Sequence, residues 1–241
     1  SSPFSNEAVD LLEGIGSKMY KIPSGEVTNT PLLEKISKLG KPVLLSSGMS
    51  SWSELDRAVD IFVGNVDLCV MQCTSAYPCS LDQVGLNVFQ ELRDRYGEEV
   101  KIGFSDHTSG LAAGTAAAAL GATVIEKHLT FSTAMFGSDA ANALEPKDFS
   151  MYTTLISDVW KMQDNPVDKN DNSQLTDMKR IFEKSIVSSR AISANTIICR
   201  EDLNFKKPGN GISAADYLLL IGRETKTDLP IDHIFSMEDF E

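Results

Sequence analysis

Short apolar runs alternate with helix-patterned stretches over the first 150 residues. The runs cover residues 20–22, 42–46, 67–72, 101–105 and 124–129, and each leads into polar or turn-forming residues. Runs of this length, bounded in this way, predict β-strands. Between them, residues 31–39, 53–63, 80–95 and 111–120 predict helices. Asn29-Thr30-Pro31 and Ser50-Ser51-Trp52-Ser53 suit helix starts, with Pro31 placed for a first turn. Gly40 and Gly121 suit helix stops. Repeated strand–helix units predict a parallel sheet, either open or closed into a barrel.

The chemistry-bearing residues gather at the C-terminal ends of these strands. They lie in Lys21-Ile22-Pro23-Ser24-Gly25-Glu26, Ser46-Ser47-Gly48-Met49, Cys73-Thr74-Ser75-Ala76-Tyr77-Pro78, Ser105-Asp106-His107 and Glu126-Lys127-His128. An open doubly wound sheet concentrates function at one switch point, whereas a barrel spreads it over every strand end. Polar ends on five strands therefore favour the barrel. The strand–helix–strand unit also puts His107 and His128 at one end of neighbouring parallel strands. That pair, two of the three histidines in the chain, makes half of a metal site. Lys127 has the opposite strand parity to His128 and should point away from it, into a structural pairing.

Residues 151–180 read as a helix followed by a polar linker. Beyond it, residues 185–188, 196–198 and 203–205 and the Gly209-Asn210-Gly211 turn predict a small, mostly β domain. The boundaries expected are a catalytic partial barrel over 1–160, a linker over 161–181 and the small domain over 182–241.

Composition narrows the partners. The 241 residues are 42% hydrophobic, enough for one large core, or for one core and a small appendix. A formal charge of -12 repels nucleic acid and anionic membrane, so neither is an expected partner. An anionic substrate then needs locally placed cations or helix N-termini. No apolar run is long enough to span a membrane, and the four cysteines contain no CxxC. Reduced thiols in a cytoplasmic protein are the expectation.

Taken together, KIPSGE, SSGM, CTSAYP, GFSDHTSG and EKHLT, followed by KKPGNGI, resemble the sialic acid synthase family, whose members make N-acetylneuraminate and related nonulosonic acids. The resemblance runs from Ser2-Pro3-Phe4 to the end of the chain. It implies a TIM-type (β/α)8 barrel and a small antifreeze-like SAF domain. It further implies a domain-swapped homodimer in which the SAF domain caps the partner's barrel. The family barrel has two βα units before the SPF strand. Only six strand candidates occur here, counting that one, so the expectation is an N-terminally truncated barrel lacking its first two βα units.

The reaction implied joins phosphoenolpyruvate to an N-acylated amino-sugar aldehyde with release of phosphate. By resemblance, His107 and His128 ligate a divalent metal, Mn²⁺ foremost, with Mg²⁺ or Co²⁺ as alternatives. Lys21, Ser24, Ser46 and Ser105 match residues that hold phosphoenolpyruvate. Asp139 matches a sugar contact, Tyr77 matches a substrate-contact tyrosine, and Glu26 matches a proton-handling carboxylate. Lys207 stands where the family usually has an Arg that reaches the partner's site, and Ala143 stands where a serine is common. These departures suggest a modified sugar. The candidates are N-acetylmannosamine, its 6-phosphate, or the diacylated sugars that lead to legionaminate or pseudaminate. Three other readings stay open: a synthase of the DAHP or KDO8P type, a non-catalytic sugar- or phosphoenolpyruvate-binding member, and an ice- or carbohydrate-binding module based on the tail.

Overall fold

A computed structural model describes all 241 residues, which divide into two compact units, Ser1–Pro166 and Val167–Glu241. In the first unit five parallel strands follow one another in sequence order: β1 Tyr20–Ile22, β2 Val43–Ser46, β3 Leu68–Cys73, β4 Lys101–Asp106 and β5 Val124–Lys127. Strand order equal to chain order is the winding of a barrel; a doubly wound sheet would reverse direction partway. The helices are α1 Asn6–Gly14, α2 Thr30–Ser37, α3 Trp52–Phe62, α4 Val88–Tyr96, α5 Ala112–Ala119 and α6 Pro146–Gln163.

Local signals start and stop these elements. Asn29 caps α2 by accepting from Leu32 N at 3.4 Å. Ser51 and Glu54 form a reciprocal capping box on α3. Gly40 and Gly121 take φ of +64° and +87°, the left-handed conformation that ends a helix.

Alternation along each strand divides the sheet into two faces. Tyr20, Ile22, Val43, Leu45, Leu68, Val70, Ile102 and Phe104 pack with the helices in the main core. The opposite parity carries Lys21, Leu44, Ser46, Cys69, Met71, Cys73, Ser105 and Glu126 to the concave face. Lys21 on the first strand and Glu126 on the last meet at 3.3 Å. Side chains of the two outermost strands of a flat five-stranded sheet could not touch. The sheet is therefore curled into an open half-barrel.

Several expectations need correction. Residues 2–4 are not a strand. Ser1 O accepts from Lys21 N, but Pro3 lacks a donor and Ser5 turns the chain into α1, which the periodicity had not revealed. The helix expected over 80–95 begins only at Val88. Gly85, at φ +70°, breaks the run where its backbone passes Gln72, and a Cβ there would lie 2.7 Å from the Gln72 amide.

In the second unit the expected linker contains a helix, α7 Thr176–Phe182. Strands β6 Ser185–Ser188 and β7 Leu203–Lys206 pair antiparallel. Residues 196–198 form no strand, because Ile197 makes only an isolated bridge to Glu224. Ile186, Ile192, Ile198, Leu203, Leu220, Leu229, Phe235 and Phe240 build the core of this unit.

Candidate active site

At the C-terminal end of the five strands lies a cleft of about 400 Å³. The strand ends supply its walls in a ring. Lys21 Nζ donates to Ser46 Oγ at 2.7 Å and pairs with Glu126, and Ser105 Oγ donates to Glu126 Oε2 at 2.7 Å. Ser24 accepts from Gly48 N at 3.0 Å and donates toward Cys73 Sγ at 3.6 Å. A Cβ on Gly48 would lie within 2.8 Å of Ser24 Oγ, so only glycine lets these loops close together.

His107 and His128 stand side by side on the same wall, their ring centroids 5.5 Å apart. The Thr74 carbonyl lies 2.9 Å from His107 Nδ1. A carbonyl can only accept, so Nδ1 carries the proton, and in the neutral ring Nε2 keeps its lone pair. Two imidazoles sharing one ion at about 2.1 Å from each nitrogen put their ring centres roughly 5 Å apart, so the pair fits such an ion. No cluster of three His, Cys, Asp or Glu side chains could hold an ion alone. A cation held here would have two protein nitrogens as ligands.

Tyr77, half-exposed, lies against the His107 ring at 4.3 Å between centroids. Asp139 faces His128 Nδ1 at 3.8 Å, an ion-pair distance that is too long for a hydrogen bond. Burial works against ionisation of Cys73, but His107 and the hydroxyls of Ser24 and Ser105 outweigh it and lower the thiol pKa. Burial likewise works against the His107 cation, and Cys73 with the Thr74 carbonyl outweighs it, raising the imidazole pKa.

The cleft therefore unites Lys21, Ser24, Ser46, Tyr77, Ser105, His107 and His128, with Asp139 beside it. It does not take in Glu26, whose carboxylate accepts from Asn29 Nδ2 at 2.7 Å at the start of α2. Lys207 lies in the second unit, over the Phe182 ring at 4.8 Å. Glu126, Cys73 and Ser75, which the strand-end segments contain but to which sequence reasoning gave no catalytic or binding role, also line the cleft. The parity that turns Lys127 away from the cleft turns Glu126, two residues before His128, into it. Lys127 does take the structural role expected. It is buried against Asp106 at 3.1 Å on the helix side.

Comparison with known proteins agrees with this architecture. Residues 1–168 match the NeuB family and residues 183–241 the SAF domain. The N,N'-diacetyllegionaminic acid synthase of Campylobacter jejuni is 38% identical over 92% of this chain and 67% of its own length. The pseudaminic acid synthase of Helicobacter pylori is 30% identical over 100% of this chain and 71% of its own. The putative spore coat polysaccharide biosynthesis protein E of Chromobacterium violaceum superposes with a TM-score of 0.74 at 26% identity, covering all of this chain and 72% of that one. The chain thus spans about two thirds of the length of such relatives. A half-barrel of five parallel strands with this cleft at its C-terminal rim, followed by a SAF domain, belongs to the NeuB family, the family of the sialic, legionaminic and pseudaminic acid synthases.

Proposed function

We propose that this chain carries the active site of a phosphoenolpyruvate-dependent nonulosonic acid synthase. Its other substrate would be an N-acylated amino-sugar aldehyde, with a diacylated sugar favoured over N-acetylmannosamine. The observation that carries the reading is the ring of Lys21, Ser46, Ser105 and Glu126 beside the paired imidazoles. One ammonium and several hydroxyls suit a small polyanion such as phosphoenolpyruvate, in a protein whose net charge would otherwise repel it. The preference for a diacylated sugar rests on the likeness to legionaminic and pseudaminic acid synthases and on Ala143 and Lys207, which depart from the residues common in the family.

In the reaction, C3 of phosphoenolpyruvate bonds to the aldehyde carbon, water adds at C2, and the C2–oxygen bond to phosphate breaks. Lys21 and the serines hold the phosphate and carboxylate. Glu126, held by Lys21 and Ser105, would take the proton of the attacking water. Tyr77 and Asp139 border the space left for the sugar. A divalent cation held by His107 and His128, with Mn²⁺ the first choice and Mg²⁺ or Co²⁺ alternatives, would supply Lewis-acid polarisation of the aldehyde oxygen. A domain-swapped homodimer, with Lys207 serving the partner's cleft, completes the reading.

The test is phosphate release from phosphoenolpyruvate with Mn²⁺, with and without N-acetylmannosamine or diacylated sugars. Sugar-dependent release that disappears in His107→Ala is the expected result. Binding of phosphoenolpyruvate without turnover of any of these sugars would favour a non-catalytic binding member instead.

A further inference from the structure

One buried polar network lies outside the cleft chemistry. Asp106 and Lys127 are the last cross-strand pair of the β4–β5 ladder, and His107 and His128 come one residue later, beyond it. Asp106 and Lys127 point to the helix side, where their side chains are 0% and 1% exposed and 3.1 Å apart. Four further contacts close the network. Tyr152 of α6 donates to Asp106 Oδ2 at 2.8 Å, and Thr108 N donates to Asp106 Oδ1 at 2.8 Å. Lys127 also donates to the Thr108 carbonyl, and its ammonium lies 5.8 Å from the centre of the Tyr152 ring. Gly114 of α5 leaves the space that the Tyr152 hydroxyl fills.

A desolvated ion pair is seldom worth its burial for stability alone, since apolar residues of similar volume often do as well. Its position suggests another use. Each member is the residue immediately before a histidine of the cleft, and the pair is the last lateral tie between the two strands. Two imidazoles that must converge on one ion need their backbones held to within about 0.5 Å.

We propose that Asp106, Lys127 and Tyr152 act as positioning residues that set the separation of His107 and His128 for a shared divalent cation. This rests on the metal reading of the histidine pair. It predicts that loosening the network weakens metal binding in a protein that still folds.

The test is Mn²⁺ titration of the full chain, followed by the electron paramagnetic resonance signal of the free ion, with thermal melting of the metal-free protein alongside. The variants are His128→Ala, Lys127→Met and the milder Tyr152→Phe, which keeps the ion pair and removes one donor. The expected result is Mn²⁺ binding by the wild type, loss of it in His128→Ala, and about tenfold weaker binding in folded Tyr152→Phe, the scale on which supporting contacts act on metal sites. If Lys127→Met also folds, its affinity falls at least as far. Wild-type affinity in a folded but less stable Tyr152→Phe would overturn the positioning role while leaving the metal reading intact. Absence of Mn²⁺ binding by the wild type would overturn both.

Discussion

Gly114→Ala reverses a general rule. In an exposed helix interior, alanine is more favourable than glycine by about 1 kcal/mol. Gly114 sits inside α5 and is buried. An added Cβ would overlap the Tyr152 hydroxyl and ring, and Tyr152 is 1% exposed. Tyr152 cannot move aside without leaving Asp106, to which it donates at 2.8 Å. Overpacking of a close-packed site costs about 1–3 kcal/mol. Losing a hydrogen bond to a buried carboxylate costs about 1.5–3 kcal/mol. Set against the propensity gain, the net effect is a destabilisation of about 1.5–5 kcal/mol, or roughly 3–20 °C in melting temperature for a unit of this size. Both tryptophans, Trp52 and Trp160, lie in the first unit, so urea unfolding followed by tryptophan fluorescence reports on that unit alone. An unchanged or raised midpoint in Gly114→Ala would refute the packing of Tyr152 over this glycine.

Further predictions follow from single contacts. Lys21→Met removes the cation of the cleft and should weaken phosphoenolpyruvate binding about 10–100-fold, measured by calorimetric titration, with little change in melting temperature. Ser51→Ala breaks the α3 capping box and should cost about 1 kcal/mol in urea unfolding. Asp202, buried in the second unit, has its pKa lowered. Burial alone would raise it, but the Cys199 N–H and thiol and the Arg190 guanidinium outweigh that. A lowered carboxyl pKa means the stabilisation is complete above the unfolded value of about 3.9 and disappears as pH falls through the still lower folded value. Calorimetric scans should therefore show this unit losing stability below about pH 4. Asp202→Asn should flatten that dependence and cost about 1–3 kcal/mol at neutral pH.

Much of the site was legible because a strand has a strict two-residue period. The apolar runs placed all five strands, and parity alone separated Lys127 from His128. The same arithmetic applied to Glu126 would have put it in the cleft. Glu26 lies outside the cleft lining for a different reason. A carboxylate in a loop has no period to orient it, and Asn29, three residues on, is a partner as good as any substrate. The broken helix at Gly85 follows from one residue's left-handed backbone, which periodicity averages away.

The chain's own sequence determined what depends on near neighbours: the Asn29 and Ser51 caps, the glycine stops, and which side chains of each strand share a face. Only the tertiary structure decided what depends on accumulated geometry. The meeting of Lys21 with Glu126 requires the curl of the whole sheet, summed over four strand pairings, so no local window contains it. The clasp of Tyr152 on Asp106 joins residues 46 positions apart through a gap that the missing side chain of Gly114 leaves in another helix. Contacts of that kind arise from the packing of whole elements, and the residues involved carry no mark of it in their immediate sequence.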